Sequence, residues 1–322
     1  MHSPRIAILD DYAGAALDLA DWSGLGRVTV FRDTLTDPDA LAERLAPFDV
    51  LCVMRERTPL PATLLERLPQ LRLVVTSGLR NQSIDLDAAA ACGITVSGTE
   101  LRPTPTPELT MGLILALERR ILPEAQSLAA GGWQGALGRD LAGLRLGLVG
   151  LGRVGAQVAA LGQAFGMEVA AWSPRLTPDR AAEHGVTACA TLHDLLGQSD
   201  VVSIHVLLTE ATRGLVGAPE LAAMRPDATL VNTSRGPVID SAALLTSLRA
   251  GRPARAGLDV FDREPLLPGD PLVAPDLIAE GRLLLTPHLG YASRQTFALF
   301  YGQMVEAIRA WSAGTPLRIL SP

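Results

Sequence analysis

The feature that most constrains this chain is an alternation that occurs twice. Short apolar, β-type runs stand at 5–9 (RIAIL), 27–31 (RVTVF), 49–53 (DVLCV), 72–75 (RLVV) and 94–96 (ITV). Helical patterns lie between them at 37–45, 61–68 and 85–92. Strand and helix in turn predict a parallel sheet with helices on both faces. Asp37 before Pro38, and Asp85 before an alanine run, are expected helix starts. Residues 97–107 (SGTELRPTPTP) break the pattern and read as a linker. A single long helix is expected over 108–130, with Glu108 suiting the dipole of its first turn. A second alternation begins near 144, with strands expected at 144–149, 167–172, 200–204, 228–232, 255–259 and 282–286. A final helix is expected at 293–312. The fold class is therefore α/β, with two doubly wound parallel-sheet domains in 322 residues. Ligands are expected where the C-terminal strand ends of the two domains face each other.

Composition narrows the chemistry. The chain has no lysine, and all 28 basic residues are arginine. That excludes a lysine Schiff base and a phosphate-loop lysine, so an anion must be held by Arg, His or backbone N–H groups. An apolar fraction of 48% with 19% charged residues indicates a globular chain. A net charge of −6 gives no general pull toward nucleic acid or an anionic membrane. Cys52, Cys92 and Cys189 are scattered without zinc-type spacing, so no metal site is expected. Sparse cysteines, no secretory leader pattern in MHSPRIAILDDY and no long apolar run predict a soluble cytoplasmic protein.

Residues 150–155 read GLGRVG, after an apolar strand and opening a helical stretch, the context in which G-x-G-x-x-G cradles a dinucleotide. Gly150 is expected to make the turn, Gly152 to admit the pyrophosphate and Gly155 to let helix and sheet approach. Arg153 and Val154 open the helix whose N-terminus faces that phosphate. The next strand ends Ala171-Trp172-Ser173-Pro174-Arg175, without the acid that reads an NAD ribose. Ser173 and Arg175 would instead meet a 2′-phosphate, which favours NADP and leaves NAD open.

Three later segments each leave one ionisable residue at a strand's C-terminal end: Arg235, Glu264 and His288. Singly, each reads equally well as a loop cation, a helix-start acid and a satisfied loop histidine. As an ordered trio after a dinucleotide motif they describe a carbonyl reduction. Arg grips and polarises a 2-oxo acid, and His donates a proton. A carboxylate beside that His favours its charged form. Arg55, Arg57 and Arg80 follow strands 49–53 and 72–75. Arg55 or Arg80 is the expected reader of a second anionic or polar substituent.

At these residues the chain resembles the D-isomer-specific 2-hydroxyacid dehydrogenases. GLGRVG, HVLLTEATRGLVG (205–217), LVNTSRGPVID (230–240), DVFDREP (259–265) and TPHLG (286–290) fall in the family's order and spacing. The resemblance implies Arg235, Glu264 and His288 as a catalytic triad, with further cofactor contacts at His205, Thr233 and Asp259. It implies a Rossmann NAD(P)-binding domain (101–290) inserted into a flavodoxin-like substrate domain formed by 1–100 and a returning helix at 291–322. It implies substrate contacts from backbone N–H groups at Gly78, Leu79 and Arg80, and a homodimer built through 108–140. Two departures stand out: Leu207 replaces a usual proline, and the acid is missing at Ser173. Glu264, where formate dehydrogenases of the family carry Gln, argues against formate. The expected activity is interconversion of a 2-oxo acid, such as glyoxylate or hydroxypyruvate, with a D-2-hydroxy acid. The alternatives are a 3-phosphoglycerate dehydrogenase-like enzyme and a non-catalytic, dinucleotide-sensing corepressor-like protein.

Overall fold

In the computed structural model, which describes residues 3–321, every strand-to-strand ladder is parallel, and a single antiparallel bridge joins Ser97 to Ile319. The chain forms two compact units, Met1–Arg102 with Ala292–Pro322, and Pro103–Tyr291.

The first unit holds β1 (Arg5–Ile8), β2 (Arg27–Val30), β3 (Val50–Val53), β4 (Leu73–Thr76) and β5 (Thr95–Gly98), in the order β2-β1-β3-β4-β5. This is the flavodoxin-like order, whose direction reverses between β1 and β3 and opens a crevice at their C-terminal ends. Asp10 and Arg55 follow those two strand ends. β3 and β4 are buried at every position, as the apolar runs VLCV and LVV require, with Thr76 closing β4. The expected caps form: Asp37 accepts from the N–H groups of Asp39 and Ala40, and Asp85 from that of Ala88. The last helix, Arg294–Ser312, belongs to this unit and buries Phe300, Tyr301 and Met304. Its Tyr301 hydroxyl donates to Asp11 Oδ1 at 3.1 Å. Each such fully buried large side chain contributes roughly 1.5–3 kcal/mol.

The second unit holds β6 (Arg145–Val149), β7 (Glu168–Trp172), β8 (Thr187–Ala188), β9 (Val201–Ile204), β10 (Thr229–Asn232), β11 (Arg255–Leu258) and β12 (Leu283–Leu285). Their order is β12-β11-β10-β9-β6-β7-β8, so direction reverses between β6 and β9. β8, two residues long, carries too little periodicity to be read from sequence.

Two expectations fail for one reason. The segment 97–107 is not a linker throughout, because β5 runs to Gly98 and a helix begins at Pro105. The expected helix over 108–130 is two helices, Pro105–Glu118 and Ile121–Ala129, separated by Arg119 and a left-handed Arg120 (φ +53°). In both cases proline opens a helix. Pro105 and Pro107 sit in the first turn, where a missing N–H costs nothing. Pro123 could not continue the first helix, since it cannot donate to the Arg119 carbonyl and its ring would strike it. The chain therefore restarts so that Pro123 falls in a new first turn. The returning backbone fills the helix end, with Arg139 N–H donating to the Glu118 carbonyl at 2.8 Å. Glu118's buried carboxylate takes two further bonds from the Arg139 guanidinium, at 2.8 and 3.0 Å, and one from Arg255 at 3.2 Å.

Candidate active site

Two of the three glycines of 150–155 are required by close contacts. Gly150 follows β6 with φ +104°, and a Cβ there would lie 2.9 Å from the His205 carbonyl carbon. A Cβ at Gly155 would stand 2.2 Å from the Gly150 carbonyl oxygen, so helix Arg153–Ala164 could not approach the sheet. Gly152, at the helix N-cap, has nothing within 4 Å of where its Cβ would be. The loop is thus closed at two glycines and open at the third, beside a twelve-residue helix whose first-turn N–H groups have no partner within the helix. Arg153 is exposed and Val154 half-buried on that first turn. These residues fit a dinucleotide pyrophosphate at the reversal point of the sheet.

Beyond β7, Ser173 is half-buried and Arg175 exposed, with the Ser173 carbonyl accepting from Leu176 N–H at 3.1 Å. His205 follows β9 across the reversal point, and its Nε2 pairs with the Ser203 hydroxyl at 2.9 Å. Desolvation holds its imidazole down to about 3, against an ordinary 6.5. This neutral histidine has a consequence for stability. The folded chain binds fewer protons there than the unfolded chain between about pH 3 and pH 6.5. The contribution is intact above pH 6.5 and is lost as pH falls, by up to about 1.4 kcal/mol per pH unit. Urea midpoints at pH 7 and pH 5.5 measure this, and His205→Gln should flatten the slope. An identical slope in the variant would refute it.

Arg235, Glu264 and His288 follow β10, β11 and β12, three neighbours in the sheet, so their loops emerge side by side. Glu264 and His288 meet: Nδ1 lies 2.6 Å from Oε2, with both side chains 17% exposed. Glu264 Oε1 accepts from Phe261 N–H at 2.9 Å, which orients the carboxylate. The His288 ring makes an edge contact with Tyr291, centroids 5.3 Å apart. The half-buried Arg235 donates from Nη1 to the Ser234 carbonyl at 2.7 Å, and its own carbonyl accepts from Asn232 Nδ2 at 2.9 Å. Gly236 brings this loop against the next one, since a Cβ there would sit 2.1 Å from the Phe261 carbonyl carbon.

Two of the expected cofactor contacts are first of all internal supports. Asp259 is fully buried, and it accepts from Thr286 Oγ1 (2.6 Å), Leu289 N–H (2.7 Å) and Gly290 N–H (2.8 Å). Burial nevertheless pushes its carboxyl above the usual range. Thr233 shares a 2.8 Å hydrogen bond with Thr110 of helix Pro105–Glu118.

In the first unit Arg55 has φ +52°. Its N–H donates to Ser77 Oγ at 2.8 Å, and its carbonyl accepts from Asn81 Nδ2 at 2.6 Å. The guanidinium lies on the Gly78 backbone, 2.3 Å from where a Cβ would be, and pairs with Glu56 at 3.5 Å. Of the expected loop amides, Gly78 N–H is already committed to Thr99 Oγ1 at 2.9 Å. Leu79 and Arg80 are exposed on the same loop. Asn81, Thr99 and Thr106 carried no sequence signal, Thr106 because it lies in the segment expected as a linker; only the helix start at Pro105 sets it one turn from Thr110. No group of three His, Cys, Asp or Glu side chains among the described residues is placed to hold a metal ion.

Comparison with known proteins agrees with this geometry. Residues 111–290 match the model of the D-isomer specific 2-hydroxyacid dehydrogenase NAD binding domain. A glycerate dehydrogenase of Methylorubrum extorquens is 34% identical over 292 residues, 88% of each chain. A glyoxylate reductase of Aeropyrum pernix is 37% identical over 261 residues, 78% of this chain and 76% of that one. The crystal structure of a putative D-3-phosphoglycerate dehydrogenase from Ralstonia solanacearum superposes with a TM-score of 0.91 at 34% identity, covering 99% of this chain and 97% of that one. With matched motifs, fold and strand-end chemistry in agreement, this chain belongs to the D-isomer specific 2-hydroxyacid dehydrogenase family of NAD-binding oxidoreductases.

Proposed function

We propose that the protein reduces a small 2-oxo acid, of the glyoxylate or hydroxypyruvate type, to the D-2-hydroxy acid, with Arg235, Glu264 and His288 as its catalytic residues. The 2.6 Å contact between His288 Nδ1 and Glu264 Oε2 carries this reading. With Nδ1 turned to the carboxylate, Nε2 is the atom left to deliver a proton to the substrate oxygen. A reduced nicotinamide dinucleotide held on the 150–155 loop would supply hydride equivalents to C2. Arg235 offers two parallel N–H donors to the substrate carboxylate and draws electron density from the carbonyl. Gly150, Gly152, Arg153, Val154 and Gly155 hold the pyrophosphate. His205, Thr233 and Asp259 shape the nicotinamide side, the last two through their internal bonds. Arg55, Gly78, Leu79 and Arg80 are the substrate contacts of the first unit. The N–H groups of Leu79 and Arg80 are the amides offered, because that of Gly78 serves Thr99.

The reading is tested by following nicotinamide absorbance with glyoxylate, hydroxypyruvate and phosphohydroxypyruvate. Dinucleotide binding without turnover of any of them would overturn it and favour a sensor.

NADP is the preferred dinucleotide in this reading, since no carboxylate stands at the end of β7 to repel a 2′-phosphate. A charge-assisted hydrogen bond of about 1.5–3 kcal/mol predicts that Arg175→Ala raises KM for NADPH by roughly tenfold or more and leaves that for NADH within about twofold. Equal shifts for both dinucleotides would remove the preference from Arg175.

A homodimer through 108–140 accounts for the apolar surface of that stretch. Trp133 is 78% and Leu137 93% exposed, beside exposed Ile121, Leu122 and Leu128. A cytoplasmic location suits its three free thiols.

A further inference from the structure

His288 sits in the left-handed backbone region that few non-glycine residues occupy. Its φ is +53°, and a non-glycine residue persists there only where its surroundings over-determine it. Most of the surrounding bonds come from the strand ends themselves. His288 N–H donates to the Thr286 carbonyl at 2.8 Å, and Asp259 gathers Thr286 Oγ1 with the N–H groups of Leu289 and Gly290. One comes from elsewhere in the second unit: Thr106 Oγ1 donates to the Gly290 carbonyl at 2.7 Å across 184 positions of sequence.

We propose that Thr106 is a positioning residue for His288, its hydroxyl closing the set of bonds that fixes loop 286–290 and so aims the imidazole. The donor is presented from a stiff backbone. Thr106 is the second residue of helix Pro105–Glu118 and lies between two buried prolines whose rings fix φ. Gly290 is buried, so its carbonyl would find no water in exchange for the lost hydroxyl. One turn on, Thr110 holds Thr233 just beyond β10, so one face of this helix steadies the segments after β10 and β12 together. A threonine at the start of a helix, far from the motifs in sequence, therefore acts on the proton donor without touching the substrate.

The inference rests on the proposed role of His288, and two measurements separate the two ideas. The first needs no substrate. Amide hydrogen exchange in peptides covering 286–290 should quicken by about tenfold in Thr106→Val, recover in Thr106→Ser, and stay unchanged in Thr246→Val, a surface control. Unchanged exchange in Thr106→Val would overturn the proposal whatever the enzyme's substrate. The second is kinetic. Thr106→Val should lower kcat by about tenfold, with KM for the dinucleotide within about twofold and a larger solvent deuterium isotope effect, and Thr106→Ser should restore all three. Wild-type kcat and isotope effect in Thr106→Val would overturn the link to His288. A wild-type protein that reduces no 2-oxo acid would instead overturn the function proposed above and leave the exchange result standing.

Discussion

Replacing His288 with Asn is expected to leave a folded protein that binds dinucleotide and reduces 2-oxo acids about 10³-fold more slowly, within the range for loss of a general acid. Asparagine is the informative choice because it tolerates the left-handed backbone that His288 occupies, at φ +53°. The loop should therefore keep its bonds to Asp259, and the loss can be assigned to the missing proton donor. Glu264 would remain oriented by Phe261 N–H, 2.9 Å from its Oε1. The measurement is kcat on the best 2-oxo acid beside an independent dinucleotide Kd. A kcat within about threefold of wild type would mean that the proton comes from another group.

The second large effect is expected at Arg235. Its Lys variant keeps the charge and loses the planar fork, so it tests bidentate recognition and not charge alone. We expect kcat/KM to fall by about 10²–10³, most of it in KM for the 2-oxo acid, as for loss of a charge-assisted hydrogen bond of about 3 kcal/mol or more. The loop itself should survive. Its shape depends on the Asn232 side chain bonded to the Arg235 carbonyl and on Gly236 packed against Phe261, neither of which uses the guanidinium. A free carboxylate added to the medium offers a cross-check, since an acid that competes with substrate in the wild type should compete far less in the variant. Equal kcat/KM in the two proteins would place the substrate carboxylate elsewhere.

Some of this molecule is legible along the chain and some is not. Asp37 and Asp85 were readable as helix caps because a cap needs only its own side chain and two or three following N–H groups. GLGRVG was readable because its contacts lie within the loop or one strand away, as Gly155 against Gly150 shows. Proline was harder. Pro105, Pro107 and Pro123 mark helix starts here, yet the same residues mark linkers elsewhere, and what decides is how the neighbouring chain packs. Arg139 filling the end of the helix at Glu118 is one such packing event, between partners 21 positions apart.

The triad divides in the same way. Residue types and order identify Arg235, Glu264 and His288 as candidates, because acid–base and anion chemistry admit few side chains. Their chain positions do not say that Nδ1 lies 2.6 Å from Oε2 or that Asp259 gathers the loop beneath the imidazole.

From its order of residues alone, this protein is an α/β chain with a phosphate-cradling glycine loop and a guanidinium, a carboxylate and an imidazole at successive strand ends. Those properties follow from periodicity and short spacings, which are local. The folded structure decided where one helix stops and the next begins, which way the buried Asp259 turns, and that Thr106 reaches Gly290. Each depends on groups far apart in sequence competing for the same few hydrogen bonds, and only packing selects among them.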